Sequence, residues 1–175
     1  MSESARRLLA IYLRDHRAGA VAGRRLAQRL AKENSHWTKL PSVAGEIEAD
    51  ETTLLLLMKT FGVSEGTLKK VTAASLELVE RLKPNGQLVG YSPLSRVLEL
   101  ESLMSGVTAK RRLWASLRKL VRRGDTLDGI DFEELDRRAV DQLSTLASLH
   151  DTAVGLAFLD DEAESGEVKG ASVRQ

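Results

Sequence analysis

Four side chains of types that can do chemistry together stand far apart in the chain: His16, Asp50, Glu101 and His150. Two imidazoles and two carboxylates are a donor set for zinc, manganese or iron if they converge at one level. Each falls on or beside a stripe of apolar residues at helical spacing, a place where a polar side chain needs a reason. The competing reading is that they satisfy one another as a buried polar cluster that aligns helices, with no metal or other cofactor involved. His36, beside Trp37, reads as a loop residue that faces solvent or caps a helix. No cysteine is present, so thiolate metal sites, disulfides and cysteine nucleophiles are excluded. A P-loop signature is also absent, and the residues singled out point to binding or association rather than to catalysis.

A second candidate is basic. Lys110, Arg111, Arg118, Lys119 and Arg122 could neutralise phosphates, and Arg14, Arg17, Arg24, Arg25 and Arg29 add cations near the start. Residues 1–32 carry eight Lys/Arg against Glu3 and Asp15, and residues 102–124 carry seven with no acid. The formal net charge is nevertheless only +1, so any basic face is local and offset by acidic neighbours, which argues against a nucleic-acid partner. Cations late in a helix also favour its dipole and form an ordinary solvated face. Trp114 fits a core as well as it fits a base-stacking platform.

The elements that must position these residues are helices. Of the 175 residues 42% are hydrophobic but only 4% aromatic, which suits leucine-, valine- and alanine-rich helices packed side by side. The first helix is expected from about Ser4 to Lys32. Its stripe is Leu9, Tyr12, His16, Gly19, Gly23, Leu26 and Leu30. Glycine in a helix costs about 1 kcal/mol against alanine, so Gly19 and Gly23 on that face suggest close packing against another helix. The second helix starts between Trp37 and Pro41 and ends at Phe61 with Gly62 as C-cap. Its stripe is Leu40, Val43, Ile47, Asp50, Leu54, Leu57 and Phe61, with one acid among six apolar residues. Ser64 caps a shorter helix over about 65–82, which stops at Pro84 to Gly86. Ser92 and Pro93 open a fourth that can run to Arg123 before Gly124. Asp131, with Glu134 reaching back as a capping box, opens a fifth over 132–160. The tail 161–175 is small and polar and reads as disordered.

Four long helices with a shorter one filling the connection between the second and the third long one resemble a ferritin-like up-down bundle spanning residues 4–160. "GYSPLSRVLELE" also resembles uncharacterised bacterial bundle proteins. The resemblance implies a bundle of two hairpins joined by a long crossover. The di-iron set does not carry over: the position three after Glu46 is Ala49 and the position three before His150 is Ala147, so Glu-x-x-His is absent from the second and the last helix. Asp15 and Glu99 or Glu101 could stand only for isolated carboxylates, so the resemblance is to a degenerate member without the complete motif.

The sequence therefore predicts one all-α domain over 1–160. It binds or associates without catalysis, with itself or with a protein partner. The alternatives are a mixed His/carboxylate metal site (Fe, Mn or Zn) and a nucleic-acid-associated protein. Leu8 to Leu13 is too short a run for a leader or a membrane span, and a cytoplasmic location is expected. His16 is placed against Asp50, each the lone ionisable interruption of its stripe. Counted from the first hairpin their levels differ by about three residues, roughly 4.5 Å, and the carboxylate is expected to hold the imidazole protonated or fix its tautomer.

Overall fold

A computed structural model of the chain describes residues 1–64, 91–121 and 129–159. They form four helices and, among the described residues, no strand: α1 Glu3–Glu33, α2 Leu40–Thr60, α3 Pro93–Leu120 and α4 Phe132–Phe158. None is long and apolar enough to cross a membrane. The expected crossover helix over 65–82, Arg122 and the tail 161–175 lie outside the described residues.

The ends follow local chemistry. Ser2, Ser92 and Asp131 each accept hydrogen bonds from free first-turn N–H groups of α1, α3 and α4. After α2 the chain turns at Gly62, whose φ of 68° suits a residue without Cβ. Gly62 N–H donates to Lys59 O at 3.0 Å and Val63 N–H to Met58 O at 2.8 Å, the pair of bonds that closes a helix in a Schellman motif. Two expected ends differ. Glu134 does not reach back to Asp131; its carboxylate takes the Arg137 guanidinium at 2.5 and 2.7 Å, a charge-assisted bond available one turn away. Helix α3 stops at Leu120, short of Arg123, because the β-branched Val121 takes an extended conformation with ψ 122°.

Two apolar clusters fix the helix directions. One joins Leu26 and Leu30 of α1, Leu40 and Val43 of α2, Val97 and Leu100 of α3, and Leu146 and Ala153 of α4. The other joins Leu9 and Leu13, Leu54 and Leu57, Leu113 and Leu117, and Phe132 and Leu135. Helices α1 and α4 therefore run one way and α2 and α3 the other, so the end of α2 and the start of α3 lie at opposite ends of the bundle. The hairpins α1/α2 and α3/α4 are each packed lengthwise, and they meet mainly through α1 against α3. Leu13, Leu30, Leu57, Leu100, Leu117 and Leu146 are fully buried, each contributing about 1.5–3 kcal/mol relative to exposure.

Candidate functional site: a cavity above a buried ionic belt

Between α1 and α3 lies a cavity of about 740 Å³ with Ile47, Asp50, Glu51 and Leu54 of α2 along its floor. Small residues create it. Gly19, Ala20, Ala22 and Gly23 line it from α1, and Ser102, Ser105, Gly106 and Ala109 from α3. A Cβ built on Gly19, Gly23 or Gly106 would meet nothing within 4 Å. The expectation of close packing at Gly19 and Gly23 is thus corrected: on this face the missing side chains hold space open rather than letting a neighbouring backbone approach. Tyr12 and His16 stand in the wall on α1, and Lys110, Leu113 and Trp114 on α3. Tyr12 Oη donates to Ser116 Oγ at 3.4 Å, which sets the level at which α1 meets α3. Trp114 is 1% exposed, yet its indole Nε1 has no acceptor among the described residues.

Beneath the cavity the core changes character. Asp50, 2% exposed, bonds Lys110 through one carboxylate oxygen and Arg138 through the other. Lys110 Nζ also donates to Gln142 Oε1 at 2.6 Å, and Gln142 Nε2 donates to Glu46 at 3.1 Å and Asp50 at 3.3 Å. The next residue, Glu51, accepts from Arg17 at 2.6 Å and from Arg24 at 2.7 Å. A belt of charge thus separates the two apolar clusters. Burial pulls the Lys110 ammonium below the ordinary lysine range, against the attraction of Asp50. A second knot lies at the other end, where Glu99 accepts from Arg29 at 2.6 Å and from Tyr91 at 3.2 Å. Asn34 links Tyr91 and Arg96 there. Burial raises the Glu99 carboxyl and lifts the Tyr91 hydroxyl to about 12.

The four residues expected as a cluster are not gathered. His16 and Asp50 line the same cavity, but Asp50 bonds Lys110, Arg138 and Gln142 and not the imidazole. His16 makes no hydrogen bond among the described residues and instead meets the Tyr12 ring edge-on at 4.6 Å. Its pKa is lowered, by burial first and against the opposing Asp15 charge, so no carboxylate holds it protonated. The physical reason is competition, because a permanently charged guanidinium and an ammonium outbid a half-buried imidazole for the same carboxylate. Glu101 and His150 do pair, at 3.2 Å, with Glu101 half exposed. That pair sits nine residues, roughly 13.5 Å, along α3 from Lys110. Among the described residues no three His, Asp or Glu side chains form a group able to hold a metal ion.

The basic face also divides. Lys110 turns into the core, Arg111 grips Asp136 through two bonds of 2.8 and 3.0 Å, Arg118 lies 3.9 Å from Glu133, and Lys119 is exposed. Lys110, Glu51, Arg138 and Gln142 were not expected in the core. Lys110 carried a legible signal: Leu100, Leu103, Val107, Lys110, Trp114 and Leu117 follow alternating spacings of three and four, the pattern of a buried seam. Comparison of the chain with protein-family models, curated proteins and solved structures gives no match.

Proposed function

We propose that the protein is a non-catalytic binding bundle that takes a small, largely apolar molecule into the cavity between α1, α2 and α3. The observation that carries the reading is the run of open glycines: two on α1 and one on α3, Gly19 and Gly106 exposed and Gly23 half-buried, border the open space between the two helices, where alanine would be more stable by about 0.5–1 kcal/mol per site. A cavity of about 740 Å³ falls in the size range of small-molecule sites, about 300–1,000 Å³. Its mixture of apolar walls and few polar groups suits a ligand oriented by one end. Two hairpins with α2 and α3 running in the same direction support a degenerate ferritin-like bundle whose midsection holds a charge belt in place of a metal pair. The test is titration with N-phenyl-1-naphthylamine, a neutral apolar fluorophore. Wild type is expected to bind one equivalent saturably. The Gly19→Leu/Gly23→Leu variant, folded by circular dichroism, is expected to lose that site. Absence of saturable binding to wild type would sink the proposal.

A further inference from the structure

Resting on the cavity reading above, we infer that the ligand is an anionic amphiphile whose carboxylate or equivalent acid group meets Lys110 and Trp114, its apolar chain lying along the slot of Gly19, Gly23, Gly106 and Ala109. Lys110 and Trp114 are four residues apart on one helix, so their side chains are neighbours, and both line the cavity. Each has a donor left unused among the described residues. The ammonium of Lys110 has three protons and, among the described residues, two acceptors, Asp50 and Gln142. The Trp114 indole N–H, buried, has no acceptor among the described residues, and a buried donor without a partner ordinarily costs about 1–3 kcal/mol. A small turn of the indole toward the cavity lets one acidic group accept from both.

Charge complementarity chooses the sign. Asp50 is shared by two cations, Lys110 and Arg138, and although Glu46 joins the network through Gln142, it does not line the cavity, where both oxygens of Asp50 are already engaged and Lys110 is the cation at hand. The other carboxylate in the floor, Glu51, is covered by Arg17 and Arg24. Asp15, also lining the cavity, is exposed and screened by water. Above this polar floor Gly19, Ala20, Ala22, Gly23, Gly106 and Ala109 give most of the slot an apolar lining, with Tyr12, His16, Ser102 and Ser105 as further polar side chains, and an apolar chain is the partner for that space. A cationic amphiphile would instead place its ammonium against Lys110.

The experiment is displacement of N-phenyl-1-naphthylamine by decanoate, decanol and decylamine at pH 7.5. Decanoate is expected to displace the probe at a concentration about tenfold lower than decanol, the scale of one charge-assisted hydrogen bond, with decylammonium weakest. Lys110→Gln, which keeps a hydrogen-bonding group beside Asp50, should bring decanoate to the level of decanol and leave decanol unchanged. Lys110→Arg, which keeps the charge, should retain the preference. Decanol or decylammonium matching decanoate, or Lys110→Gln leaving decanoate binding intact, overturns the charge assignment while the cavity reading stands. Failure of all three to displace a bound probe overturns the amphiphile class itself.

Discussion

Gly23→Leu separates two readings of one residue by the sign of its effect. If Gly23 let a second backbone approach, the added side chain would overpack the contact and cost about 1–3 kcal/mol. In the structure its Cβ meets nothing within 4 Å, and three terms then decide the outcome. Leaving glycine behind in a helix gains about 0.5–1 kcal/mol. A leucine fully withdrawn from water gains about 1.5–3 kcal/mol, of which roughly half applies because Gly23 is only partly buried. Ordering the leucine rotamer takes back about 0.5–1 kcal/mol. The balance is a stabilisation of about 1 kcal/mol, and for a chain of this size each kcal/mol moves Tm by about 2–4 °C. Urea unfolding is the assay: the midpoint should rise with the slope unchanged. A variant that loses about 1 kcal/mol or more would refute the open-cavity account and restore close packing.

Removing the Asp50 carboxylate strands two cations, so Asp50→Leu should cost about 3–5 kcal/mol, and adding Lys110→Met should recover part of it; urea unfolding of both single variants and the double gives the coupling. Because the folded pKa of His16 lies below its unfolded value near 6.5, the unfolded chain binds the proton first, and stability falls as pH drops from the unfolded value toward the folded one. His16→Gln should flatten that part of the profile, and equal slopes for both proteins between pH 7.5 and 5 would contradict it. Glu101→Ala, at a half-exposed pair with His150, should stay within about 1 kcal/mol of wild type by the same unfolding assay.

Most of the helical frame was legible because caps and stripes are local. Ser92, Asp131 and Gly62 announce their ends through chemistry that acts within a turn, and the α2 stripe from Leu40 to Leu57, Asp50 included, is buried as its spacing predicts. The α1 stripe was legible as a face but not as what that face meets. Periodicity reports direction, whereas Tyr12, His16, Gly19 and Gly23 border a space whose existence depends on Gly106 and Ala109 of another helix. Partner choice failed for the same reason. Finding His16 and Asp50 alone on their stripes overlooked Lys110, placed by type on a solvated basic face, and Arg138, which no pattern singled out. Lysine on a leucine seam was the available clue, and its weight is visible only once an acid is known to face it.

The charge belt also acts as a longitudinal gauge. Leucine seams are nearly periodic, so moving α3 by one heptad along its neighbours, about 10.5 Å, still sets leucines against leucines. The same move would bring Leu103 or Leu117 to the place of Lys110, stripping Asp50 of one of its two cations inside the core. An equal shift of α4 would bring Leu135 or Leu149 to the place of Gln142. Interchangeable apolar teeth would allow several settings of the helices, and the unique charges at mid-height select one. The volume bordered by Gly19, Gly23 and Gly106 exists only at that setting.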